Sequence, residues 1–134
     1  MQDRPTVDEL LEAVAGFLHE DVMVHTDGRL SFYARVAGNV VQMLRRELST
    51  AERHNAAEWE RLDRLLGVQP MPSSLAAVGG MIGERNRDLA ERIGAGEADC
   101  GEWRGEVLAH LRKTIHEKLE VSNPALAAVK YGAA

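Results

Sequence analysis

Residues 30–48, LSFYARVAGNVVQMLRREL, decide the fold class, because wound as a helix they resolve into two chemically unlike faces. Leu30, Tyr33, Ala37, Val40, Val41, Leu44 and Leu48 recur at the i, i+3, i+4, i+7 spacing that stacks side chains on one side of a helix. Arg35, Asn39, Gln42 and Arg46 recur at the same spacing on the opposite side. Phe32 and Met43 flank that polar stripe, so its borders are more apolar than those of an ordinary solvated face.

Toward the N-terminus, Thr6 and Glu9 have the Thr-x-x-Glu spacing of a capping box, in which side chains satisfy the backbone N–H groups that a helix start leaves unpaired. A first helix is predicted from there to about Val24, with Val7, Leu10, Leu11, Val14, Phe17 and Leu18 as its apolar stripe and Asp8, Glu12 and His19 on the far side. His25, Thr26, Asp27 and Gly28 make the turn into the central helix. Toward the C-terminus, Ser49 and Glu52 repeat the capping-box spacing, so a break is expected there, with a third helix running to Gly67 as a left-handed stop. Asn55, Trp59, Leu62 and Leu66 share its inner face.

Pro70 and Pro72 enforce a linker, and Ser73 or Ser74 caps a fourth helix reaching about Gly94, striped by Leu75, Val78, Ile82, Leu89 and Ile93. Asp99 and Glu102 form a third capping-box pair for a last helix on which Trp103, Val107, Leu111, Ile115 and Leu119 turn inward. Asn123 before Pro124 ends it, since a residue preceding proline avoids helical angles. The tail over residues 125–134 is small and apolar, either a short docked helix or disordered. Five amphipathic helices with short connections give an all-α expectation: a single domain over residues 1–134, built as an antiparallel bundle.

A chain of 134 residues is one domain's worth, and buries roughly two-thirds of the surface its unfolded form exposes. The single cysteine, Cys100, forms no internal bridge, which fits a reducing compartment; the cytoplasm is the expected location. The start MQDRPTVDELLEAV carries acids where a signal peptide needs a basic start and an apolar run. No window approaches the roughly 20 consecutive apolar residues of a membrane span, so no membrane association is expected. The net charge of −5, with arginines scattered among acids, opposes attraction to phosphate backbones and argues against a nucleic-acid partner. Aromatic residues make up only 4% of the chain and period-2 alternation is missing, so sheet is not expected. The excess of arginine over lysine, with abundant alanine and glycine, points to a GC-rich bacterial genome.

Catalysis by a nucleophile needs a base beside it and a group to orient the base. Cys100 has acids on both sides, which oppose thiolate formation. There is neither a Gly-x-Ser-x-Gly elbow nor a phosphate-cradling glycine loop. His19 with His25 and His110 with His116 are each six apart, about 240° of helical rotation, so neither pair shares a face. His54 with Glu58 has ligand spacing but leaves a tetrahedral site half built. No catalytic residue, metal or cofactor is therefore expected. Asn86, between Ile82 and Leu89 on an apolar stripe, must find a partner, because an unpaired buried amide costs roughly 1–3 kcal/mol. It serves either as a structural amide or as a ligand or partner contact. The stripe Arg35, Asn39, Gln42, Arg46 is either a solvated face or a recognition surface for a carboxylate, a phosphate or an acidic partner. The uncharged run over residues 65–83 reads as a packed linker or a second contact surface.

The combination of RPTVDELLEAVAGFL (residues 4–18), FYARVAGNVVQMLRREL (32–48), DLAERIGAGEAD (88–99) and KLEVSNP (118–124) resembles a small all-helical bacterial family of originally unassigned function. Its members are typically encoded beside aminoglycoside-phosphotransferase-like kinases and acyl-CoA dehydrogenases, as in levulinate and related hydroxy-acid catabolism. The resemblance implies a non-catalytic accessory partner of a kinase that phosphorylates a hydroxyacyl-CoA, and it hands over no catalytic residues. Partner recognition is then expected at Arg35, Asn39, Gln42 and Arg46. The alternative is a module in which Asn86 and the arginines hold an acyl or CoA-like ligand between helices, or a structural protein. Self-association is left open, since a bundle buries a spare apolar stripe against a copy of itself or a foreign subunit.

Overall fold

The computed structural model describes residues 3–129, which are helical without any strand. The order is α1 (Val7–Gly16), a π-helical segment (Phe17–Val22), α2 (Met23–His25), α3 (Gly28–Leu66), α4 (Leu75–Gly94), α5 (Glu102–Ser122) and α6 (Pro124–Ala127). The all-α class expected from the helical periodicity is the class observed. The chain divides into two compact units, Met1–Ser49 and Thr50–Ala134.

The first unit is a helical hairpin. Thr6 caps α1 as anticipated: its Oγ1 accepts from the Glu9 N–H (3.2 Å) while the Glu9 carboxylate accepts from the Thr6 N–H (2.7 Å). Helical winding continues through the π segment to His25, and Gly28 turns the chain with a positive φ of 60°. Three contacts tie the returning helix down. Arg45 grips both carboxylate oxygens of Asp8 (2.8 and 2.9 Å) and also reaches Glu12 (3.3 Å). The His19 ring lies over Gly38, where an added Cβ would fall 2.6 Å from its Cδ2. Ser31 Oγ donates to the Met23 carbonyl (2.9 Å). The partners descend along one segment as they ascend along the other, so the two run antiparallel.

Small residues line this contact: Ala15 and Ala34 are its buried apolar side chains. The consequence corrects the inward reading of the amphipathic pattern. Leu30, Tyr33, Val40, Leu44 and Leu48 are exposed, as are Val7, Leu10, Val14 and Phe17 on the first helical segment of the hairpin. Helix pairs approach closely through small side chains, and the bulky stripe is left on the outside.

α3 runs without interruption from Gly28 to Leu66, which corrects the break expected at Ser49. The Ser49 hydroxyl donates to the Arg46 carbonyl (2.9 Å), a use of serine that leaves the helix intact and forgoes the cap. The boundary between the two units nevertheless falls at that residue.

The second unit is built from residues 50–66 of α3 together with α4, α5 and α6. Its core joins Trp59, Leu62, Leu65, Val78, Ile82, Leu89 and Val107, with Leu66, Met81, Ile93, Ala98 and Trp103 packed around them. Gly67 stops α3 at φ 102° as expected, and two cations cover the carbonyls at that helix end. Arg85 donates to Gly67 O (2.8 Å) and Arg92 to Leu65 O (3.3 Å). Ser74 caps α4 by accepting from Ala77 N–H (3.2 Å). The third capping box is not formed: α5 begins after Gly101, which supplies no side-chain cap.

α5 is also rotated relative to its expected stripe. Val107, His110, Thr114, Glu117 and Val121 are buried, while Leu111 and Ile115 are exposed. The expected stripe was spaced by four throughout, and four residues turn a helix about 400°, so such a set drifts about 40° at each step off the packing face. Asn123 ends α5 and caps α6, whose Ala127 is buried, so the start of the tail is a docked helical turn. Residues 130–134 of the expected tail lie outside the described residues.

Candidate functional site

Two regions carry the chemistry. On the hairpin, Arg35 and Asn39 are exposed on α3, and Phe32, Val36 and Met43 are exposed beside them. The Arg35 guanidinium lies 5.4 Å from the Phe32 ring centre, a cation–π contact that holds the charge over an apolar edge. Arg35 and Phe32 line a recess of about 260 Å³ together with Met23, Asp27, Gly28 and Ser31. Gln42 is half-buried and accepts from Arg45 (3.4 Å), which places it inside the hairpin's own ion-pair network. Arg46 is also half-buried. Of the four stripe residues, the outer pair Arg35 and Asn39 is therefore the solvent-facing half.

Arg45 is the hairpin residue that pattern reading passed over, since it falls between the two stripes. Its hydrogen bond to Asp8, assisted by its charge, holds the Asp8 carboxyl below the ordinary carboxylate range against the opposing effect of desolvation. The same hydrogen bond raises the Arg45 guanidinium further.

Asn86 serves a different cluster, in the second unit. It donates to Glu58 Oε1 (2.7 Å), which supplies the partner its position on an apolar stripe demands. Around Glu58 the inward face of α5 is polar. Arg61, on α3, donates in bidentate fashion to the Glu117 carboxylate (3.1 Å from Nη1) and also to Thr114 Oγ1 (3.3 Å). Arg85 pairs with Asp63 (2.8 Å) and stacks 4.8 Å from the Trp59 ring centre. His54 and His116 converge on Glu120 at 2.9 and 3.3 Å. Desolvation opposes ionisation of Glu120, yet the His54 hydrogen bond and surrounding positive charge leave its carboxyl lower than usual.

His110 is 3% exposed, and neither ring nitrogen has a hydrogen-bond partner among the described residues. Burial first, and then the Arg61 charge, push its pKa below the usual imidazole value, so the ring is neutral at neutral pH. It lines a cleft of about 430 Å³ with Arg61, Arg64, Leu65, Glu106 and Ala109. The usable sequence signal for this cluster was the alternating three-and-four spacing of residues 107, 110, 114, 117 and 121. It is masked by polarity, since three of those five side chains are His, Thr and Glu.

The polar groups of this cluster are mostly spent on one another, which suits a device that sets the helices in register. Among the described residues no group of three or more His, Cys, Asp or Glu side chains is placed to hold a metal ion. Cys100 is exposed. No described helix is long and apolar enough to cross a membrane.

No curated protein and no solved structure matches the chain. A family model does, over residues 24–126, which includes all of α3, α4 and α5. The chain thus belongs to the family described as Domain of unknown function (DUF6285).

Proposed function

We propose that this protein is a non-catalytic accessory subunit of an aminoglycoside-phosphotransferase-like kinase acting on hydroxyacyl-CoA substrates. The observation that carries the reading is the outer edge of α3, where Arg35 and Asn39 stand exposed among Phe32, Val36 and Met43. Exposed apolar side chains around a few fixed polar groups are the make-up of a protein contact surface. Most polar groups of the second unit, the His110 ring excepted, are by contrast engaged in mutual bonds that a catalytic group would need free. The family resemblance supplies the partner class.

The test is an assay of hydroxyacyl-CoA phosphorylation with the kinase from the neighbouring gene alone, this protein alone, and the two together. Stimulation is expected only in the mixture, and Phe32→Ala combined with Arg35→Glu is expected to lower it by tenfold or more while leaving helicity intact. Phosphorylation by this protein alone would make it the enzyme. An unaltered response in the double variant would remove the docking surface from this edge.

A second reading, a small-molecule module, is favoured by the cleft beside His110, Arg61 and Arg64. Native mass spectrometry of freshly purified protein separates it from the first, since a retained acyl or CoA-like ligand supports the module.

A further inference from the structure

The hairpin leaves uncovered an apolar seam distinct from the Arg35 edge. Leu10, Val14 and Phe17 on its first segment and Leu30, Tyr33, Val40, Leu44 and Leu48 on α3 are each between 47 and 63% exposed. On α3 the seam passes through residues 30, 33, 37, 40 and 44, an alternation of three and four that keeps one line facing a partner helix along its length. Two helices bury only the seam between them, whereas two such hairpins packed as a four-helix bundle bury the outer apolar stripe of each. The eight large side chains present on the order of 900 Å², against about 800 Å² per partner in a standard stable interface.

Charge supplies the occupant and its direction. Arg29 and Glu47 lie on the same side of α3, eighteen residues and five turns apart, at opposite ends of the seam. Both are exposed, and neither has an ion-pair partner among the described residues. When a second α3 is laid antiparallel about a two-fold axis at the level of Gly38, each Arg29 comes opposite the partner's Glu47, and the seam meets itself.

We propose that this seam docks a second copy of the chain, α3 antiparallel to α3, closing an isologous four-helix bundle in which Arg29 pairs with the partner's Glu47. The proposal stands independently of the kinase, because the Arg35 edge lies outside the seam.

Sedimentation velocity from about 1 to about 100 µM spans the affinities such an interface gives. The full chain is expected at twice its single-chain mass. Val40→Glu with Leu44→Glu is expected to bring it to single-chain mass with its helical circular dichroism retained, because both side chains are exposed in one chain. Glu47→Arg is expected to raise the dimer Kd about tenfold, and Arg29→Glu with Glu47→Arg to restore it within about threefold. A wild-type chain of single mass at the highest concentration, or a Val40→Glu/Leu44→Glu variant still at double mass, overturns the proposal. Should that variant lose helicity, the Arg29 and Glu47 series decides: a charge swap that fails to restore the Kd overturns the pairing.

Discussion

Replacing Arg61 by Met tests whether the polar face of α5 is held by the ion pair it makes there. The Glu117 side chain is 5% exposed and that of Arg61 13%, so both charges are removed from water and the pair is compensated mainly by its own geometry. Removing one partner of a buried pair costs about 3–5 kcal/mol, most of it from the charge left behind. Lys113 Nζ, 3.9 Å from Glu117 on a half-exposed side chain, offers partial relief, which places Arg61→Met near the lower bound of about 3 kcal/mol. For a chain of this size that corresponds to a fall in Tm of about 10 °C. Both tryptophans, Trp59 and Trp103, sit in the core of the second unit, so denaturant unfolding followed by tryptophan fluorescence reads this unit specifically. The double variant Arg61→Met/Glu117→Leu leaves no stranded charge and is expected within about 1 kcal/mol of wild type. His110 gives a readout independent of stability: with the Arg61 charge gone, its pKa should rise, observable by NMR titration of the ring. A single variant as stable as wild type, or a double variant as unstable as the single, would refute the account of the pair.

Three further outcomes follow from individual contacts. His110 has a native pKa below its ordinary 6.5, so the unfolded chain binds its proton more readily than the folded one. Stability should therefore rise with pH in the window below 6.5 and fall on acidification by up to about 1.4 kcal/mol per unit, and His110→Gln should flatten that part of the wild-type profile. Arg45→Ala is expected to return the Asp8 carboxyl upward toward its ordinary 3.8, followed by NMR titration; an unmoved Asp8 would mean the contact does not persist in solution. Ser49→Ala is expected to change stability by less than about 0.5 kcal/mol, because the hydroxyl bonds backward within α3, whereas Thr6→Ala removes a working cap and should cost about 1 kcal/mol in thermal unfolding.

Read alone, the sequence determined whatever is settled within a turn or two of helix. The 3.6-residue periodicity established the all-α class. Thr6 with Glu9, Ser74, Gly28 and Gly67 marked real helix ends, because a cap or a positive φ involves atoms no more than four residues apart. The core of the second unit was legible at Trp59, Leu62, Val78, Ile82 and Leu89 for the same reason: their stripes are strongly apolar and face one way. Asn86 was correctly read as needing a partner, although the identity of Glu58, 28 residues away, was not readable.

Tertiary structure decided which of two chemically acceptable arrangements each segment adopts. Ser49 with Glu52 satisfies the pattern of a cap, yet a helix already running past that point gains more by continuing than by stopping. The amphipathic stripe of α3 has a definite position on the helix, but which side packs inward depends on what the neighbouring segment offers. Here the buried Ala15 and Ala34, and Gly38 beneath His19, reinforced by Arg45 gripping Asp8 from 37 residues away, bring the small sides together and leave the bulky stripe outside. On α5, Arg61 turns a face bearing His110, Thr114 and Glu117 inward, against the preference that hydrophobicity alone expresses. Side-chain patterning is a local property, whereas burial is a competition among all the surfaces of the molecule, and only the folded chain carries its result.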